Sequence, residues 1–205
     1  MRENTKNTID AILAASQKEF LTYGYEKASV RRIAREAEVT TGAIYVHFSG
    51  KEALFDALTK EVTDRFLEMY RKSYEEFNFL PLEQQFPLLK PQFEEAIPAF
   101  INYVYDHVTV FKLLFCCGQA GWGEQYIAEL SGVGEQAVHL VMDKMAAAGI
   151  KRPNLDGDMV HILTNSLLQQ VKGFIVLDIP RERALEYTKT MSSFWRAGWM
   201  KILGL

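Results

Sequence analysis

The stretch Ser29–Lys51, SVRRIAREAEVTTGAIYVHFSGK, decides the fold. Val30, Ile33, Ala34 and Ala37 recur at i, i+3, i+4 and i+7, one apolar stripe of helical period. Ser29 stands just before it as an N-cap whose hydroxyl can accept an orphan backbone N–H. Glu38-Val39-Thr40 reads as a turn, with Val39 as the apolar plug between two helices. Thr40 caps the second helix, which runs through Ile44 and Tyr45 to Phe48. Ile44 and Phe48 share its buried face, which turns Thr41, Gly42, Ala43 and His47 outward. About eight residues of helix span roughly 12 Å at ~1.5 Å per residue, and a DNA major groove is about 12 Å wide. The pattern is a helix-turn-helix.

Around this core the chain reads as helices throughout. A first helix is expected from about Asn4 or Thr5 to Tyr23, closed by Gly24, with Ile9, Ile12, Leu13, Ser16, Phe20 and Tyr23 inward. Ser49-Gly50-Lys51-Glu52 reads as a capping box that opens a long helix carrying Leu54, Phe55, Leu58, Val62, Phe66 and Tyr70. Pro81, Pro87 and Pro91 break the pattern over residues 78–91. Further helices are expected over Phe93–His107, with a kink at Pro98, and over Val108–Cys117, Glu124–Ala148, Asp156–Leu177 and Arg181–Leu203. The expectation is an all-α chain of about nine helices. A three-helix DNA-binding domain occupies residues 1–50 and a helical ligand-binding and dimerisation domain residues 51–205.

Composition excludes several classes. A chain of 205 residues, 48% hydrophobic and 24% charged, has the make-up of a globular protein. No run approaches the ~18 apolar residues of a membrane span, and MRENTKNTID lacks the apolar core of a signal peptide. A cytoplasmic location with no membrane partner is expected. Adjacent Cys116 and Cys117 cannot staple distant segments and read as thiols. The net charge of −3 is unevenly spread. Residues 1–51 hold eight Lys or Arg against six Asp or Glu, leaving the acidic excess to the remainder. A basic head on an acidic body suits a protein that touches DNA with one end.

The run Ser29-Val30-Arg31, Ile33-Ala34, Ala37, Val39-Thr40, Gly42, Ile44-Tyr45, His47-Phe48, Lys51-Glu52 and Leu54 resembles the DNA-binding signature of the TetR (tetracycline-repressor-like) family. The likeness covers roughly the first quarter of the chain. It departs at Thr40, where Ser is commoner, and at the joint Ser49-Gly50. Carried over by position, it implies base-edge contacts from Thr41, Gly42 and Ala43. Tyr45, His47 and Lys51 match the family's phosphate contacts. Arg31 can reach a guanine or a phosphate, and Thr40 serves either as a phosphate contact or as a plain N-cap. Competing readings are packing for Tyr45 and simple solvation for Lys51. For Arg32 and Arg35 solvation is the favoured one.

The last two expected helices are apolar on more than one side and need cover on more than one side. Leu163, Leu167, Phe194, Trp195, Trp199 and Ile202 are the candidate interface. Covering them inside one bundle is the alternative. The resemblance implies a homodimer through a four-helix bundle of these helices, and hence a roughly palindromic double-stranded operator.

No catalytic or metal constellation stands out in the second domain, and no cofactor is expected. Gly118-Gln-Ala-Gly-Trp-Gly123 lacks the preceding strand and the Lys-Ser/Thr of a phosphate loop. What remains is a surplus of aromatics: Phe66, Tyr70, Phe100, Tyr103, Phe111, Phe115, Trp122, Tyr126 and Phe174. With Cys116, Gln169 and Gln170 they suit either a packed core or an apolar cavity with polar anchors. The resemblance implies the cavity, holding a small hydrophobic or aromatic effector that releases a repressor from DNA. Alternatives are a ligand-dependent activator, a DNA-binding protein of architectural role with a filled core, and an enzyme, for which paired nucleophile and base are missing.

Overall fold

The computed structural model describes residues 2–85, 92–151 and 153–204, and among these there are helices and no strand. The all-α expectation holds. In chain order the helices with both ends described are α1 (Arg2–Lys27), α2 (Val30–Glu36), α3 (Thr41–His47), α4 (Lys51–Phe79), α5 (Ile97–Asp106), α6 (Val108–Lys112), α7 (Trp122–Ala147), α8 (Gly157–Val176) and α9 (Arg181–Leu203), and residues 82–85 are helical as well. Wider, π-type turns run into α5 over Gln92–Ala96 and out of α6 over Leu113–Cys117. The break expected at Pro87 and Pro91 lies outside the described residues. Among the described residues no helix is long and apolar enough to cross a membrane.

The chain divides into two compact units, and neither matches the expected cut at 50/51. One comprises Met1–Asp64 with His107–Glu124; the other comprises Arg65–Asp106 with Gln125–Leu205. A segment assigned by sequence to the second domain therefore belongs to the head. The reason is packing. Leu113 is fully buried in the same core as Ile12, Phe20, Ile33, Ile44, Leu54 and Phe55. The Trp122 ring lies 4.8 Å from the Tyr25 ring and 4.9 Å from that of Phe55. Gly118 allows a close approach here: a Cβ would sit 3.0 Å from the Leu114 carbonyl oxygen and 3.3 Å from Phe55, so a side chain must move its neighbours by a few tenths of an ångström. The glycine-rich run is thus a packing device.

Within the head, α1 follows its sequence pattern as far as Gly24, whose φ of +71° ends the regular helix as expected of a C-terminal glycine. Ile12, Ser16 and Phe20 point inward. Tyr23 does not: it is 48% exposed, and Tyr25 takes the inward place against Phe20. The turn between α2 and α3 holds Glu38 at φ +54°, a left-handed conformation that side chains other than glycine adopt at a cost.

In the second unit, α8 begins with Asp156 as N-cap, its carboxylate accepting the Met159 N–H at 2.9 Å. The α9 boundaries coincide with the expected ones, Arg181–Leu203, and Gly204 closes that helix in a left-handed conformation. Ile101, Phe174 and Ala184 form one buried cluster, flanked by Ile97, Val171 and Leu185. Lys144 donates to the carbonyls of Asn78 and Leu80, 2.7 Å away in the latter case, and so closes the C-terminal end of α4.

Candidate functional site

The head presents α3 with one face in the core and the other in solvent. Ile44 is completely buried, and its helix is started by Thr40, whose hydroxyl accepts the Ala43 N–H at 3.1 Å. The N-cap reading of Thr40 is realised. Thr41, Gly42, Tyr45 and His47 are all exposed, Tyr45 at 56%. Ala43, expected outward, is half-buried and its amide belongs to the cap. Arg31 and Arg35 are exposed on α2.

Val46 is the residue that the sequence reading passed over. It is 77% exposed, an aliphatic side chain on the outer face of α3. The signal was available. Position 46 lies about 200° round the helix from Ile44 at ~100° per residue, opposite the buried face. An apolar residue there has no core to join, and a thymine methyl is a fitting partner.

Three other side chains hold the head in shape. Glu19 is only 7% exposed and accepts from the Ser29 N–H at 2.8 Å and from Arg32 at 2.8 Å and 2.5 Å. Its carboxylate, rather than the Ser29 hydroxyl, meets the start of α2; Ser29 makes no side-chain cap. Arg32, read as a solvated residue, also donates to the Lys27 carbonyl and lies over the Tyr23 ring at 4.3 Å. The Glu19 hydrogen bond raises the Arg32 pKa. Lys51 is likewise engaged. Its ammonium donates to the Tyr25 carbonyl at 2.8 Å and the Glu26 carbonyl at 3.2 Å, over the Tyr25 ring. A phosphate can claim only what those two bonds leave of its three N–H groups.

The second unit holds a partly open, apolar cavity of about 140 Å³. Phe66, Tyr70 and Phe100 line it, their rings 5.3 to 6.3 Å apart. Tyr74, Phe77, Gln85, Gly134, Leu163, Thr164, Leu167 and Trp199 line it as well. Burial pushes the Tyr70 and Tyr74 hydroxyls above the usual tyrosine range, so both are neutral donors and acceptors. Seven residues proposed for the cavity are elsewhere. Phe111, Phe115, Cys116 and Trp122 fall in the head unit, where Phe111 is buried and Cys116 exposed. Tyr103 packs on Phe66 from behind, ring centroids 5.7 Å apart. Phe174 fills the cluster with Ile101 and Ala184, and the Gln170 side chain accepts from the Trp195 indole at 3.4 Å.

The proposed dimer residues divide in the same way. Leu163, Leu167 and Trp199 line the cavity, and Trp195 is only 7% exposed. Ile202 is half-buried. Phe194 alone of the six is strongly exposed, at 69%, and with it on α8 and α9 stand Met159, Ile162 and Tyr187.

Comparison with known proteins bears on the head. Residues 12–58 match the family "Bacterial regulatory proteins, tetR family". Over 54 residues the chain is 46% identical to the HTH-type transcriptional repressor Rv1474c of Mycobacterium tuberculosis, covering 26% of this chain and 29% of that protein. Over 53 residues it is 45% identical to the A-factor receptor protein of Streptomyces griseus, covering 26% and 19%. The chain thus spans less than a third of the length of these curated relatives. NalD, described as the secondary repressor of the MexAB-OprM multidrug efflux pump in Pseudomonas aeruginosa, superposes with a TM-score of 0.59 over 94% of this chain and 97% of that one. At 18% identity that likeness shows the fold alone. The likeness is thus to the N-terminal domain of the tetR family of bacterial regulatory proteins, over residues 12–58.

Proposed function

We propose that this protein is a transcriptional repressor that binds a two-fold operator as a homodimer and lets go of it when a small molecule fills the cavity of the second unit. The observation that carries the reading is α3, a capped helix with a buried Ile44 and an outer face of Thr41, Gly42, Tyr45, Val46 and His47 that no part of its own unit covers. Thr41, Gly42 and Val46 are suited to base edges, and Tyr45 and His47 to phosphates. Exposed Phe194, Ile162, Met159 and Tyr187 are the apolar surface that a second copy covers. Arg31 reaches DNA from α2, and Lys51 contributes chiefly by holding the end of α1.

Selection from a random duplex library, followed by anisotropy titration at several salt concentrations, tests it. The expected outcome is a preferred site of two-fold symmetry. Tyr45→Ala weakens binding to that site about tenfold, the size of one lost phosphate or base contact, while dimer mass and helicity are unchanged. A wild-type protein with no sequence preference, or a Tyr45→Ala protein that binds as before, overturns the reading.

A further inference from the structure

Among the described residues that line the cavity, Gln85 carries a polar atom whose hydrogen-bonding needs the protein does not meet. The Gln85 side chain is completely buried and lines the cavity. Its Nε2 donates to the Phe77 carbonyl at 3.0 Å and the Leu80 carbonyl at 3.1 Å. Two carbonyl acceptors fix the amide's orientation, because the oxygen in that place would face two other oxygens. The opposite end, Oε1, is buried with no hydrogen-bond partner. A buried acceptor left unpaired is costly and rare.

Among the described residues, none that lines the cavity is charged. The neighbouring hydroxyls of Tyr70 and Tyr74, 3.4 Å apart, are neutral. A carboxylate or ammonium entering it would give up part of its hydration without finding a counter-charge among the described lining residues. A volume near 140 Å³ matches the ~150 Å³ that accommodates a single aromatic ring in an engineered protein cavity.

We infer that the cavity takes an uncharged, largely apolar molecule about one aromatic ring in size, bearing a hydroxyl or N–H that donates to Gln85 Oε1. The inference rests on the effector reading of this cavity for its biological meaning, but the binding chemistry stands on Gln85 itself. Phenols and short-chain alcohols are the fitting class. Ethers and hydrocarbons of the same size lack the donor, and carboxylates bring a charge.

Calorimetric titration of the full chain with four probes tests this. 4-Ethylphenol and its isomer 4-methylanisole have the same atoms and differ in owning a donor; ethylbenzene lacks the oxygen, and 4-methylbenzoate carries a charge. The expected order places 4-ethylphenol at least about tenfold tighter than 4-methylanisole and ethylbenzene, with 4-methylbenzoate weakest. In Gln85→Met the advantage of the phenol over the ether shrinks to about twofold or less. Gly134→Ala, whose new methyl meets Thr164 at 3.4 Å and Tyr70 at 3.6 Å, narrows the cavity and weakens all neutral probes while keeping their order. This second variant keeps the test alive if Gln85→Met loses its helical fold. Equal affinity for phenol and ether, tighter binding of the benzoate, or no binding of any probe overturns the inference. A phenol that binds with the expected selectivity yet leaves DNA affinity unchanged supports the ligand class and removes the effector reading.

Discussion

The two units put their working residues on opposite sides of the packing. In the head the core side chains are shut off from solvent, with Ile12, Phe20, Ile33, Ile44 and Leu54 all at 0% exposure, and the residues proposed to meet DNA stand outside on α3. In the second unit the candidate site is inside, bounded by Phe66, Tyr70, Phe100, Leu167 and Trp199 around an unfilled volume. A filled core fixes the direction of a helix to within a side chain's tolerance, which suits reading a rigid groove. A core with a hole in it has relinquished some of that stability and gained a place for a guest.

The sharpest way to break this comparison is to truncate one wall residue in each unit. Phe55→Ala removes a ring packed by Phe20, Tyr25 and Trp122 and is expected to cost about 3–5 kcal/mol in urea unfolding. Leu167→Ala, already facing empty space, is expected to cost under about 2 kcal/mol, since fewer contacts are lost. Equal costs would mean that the cavity is not open in solution. Glu19→Gln comes next. It leaves the Arg32 guanidinium and the Ser29 N–H with a neutral acceptor, and the head should lose about 2 kcal/mol. Because the Arg32 side chain is 38% exposed, water softens the loss. Thr40→Ala, which deletes the α3 cap, is expected to cost about 1 kcal/mol and to weaken DNA binding beyond that figure's share, because it frays the reading helix itself. The smallest effect is a gain: Glu38→Gly relieves a left-handed side-chain residue and should raise stability by about 0.5 kcal/mol, read as a higher melting temperature.

The same contrast explains what the sequence disclosed. The helix-turn-helix was legible because outward residues are defined by exclusion: once Ile44 and Phe48 are assigned inward, the rest of α3 has one direction left. Val46, 77% exposed, follows from the same angle, about 200° round from Ile44, although the motif leaves its position blank. The cavity was not legible, since Phe66 beside a void and Phe174 in a full cluster are the same kind of letter at the same kind of spacing. Nor could the pattern tell that Leu163, Leu167 and Trp199 line a hollow in their own chain. Long-range packing decides such matters, as it did for Trp122, whose partners Tyr25 and Phe55 lie far away along the chain. Arg32 and Lys51 show the limit from the polar side. Their partners are a buried carboxylate and two backbone carbonyls, which no charge pattern announces.

The placement of residues 107–124 in the head has a consequence for biosynthesis. Leu113 and Trp122 close the apolar surface over Phe55, so the first sixty-four residues leave the ribosome with that surface bare. At ~5–20 residues per second, the missing cover arrives roughly 3–12 s later. During that interval the nascent chain is a natural client for a holding chaperone, and an expression fragment ending at Asp64 would inherit the same sticky flank permanently.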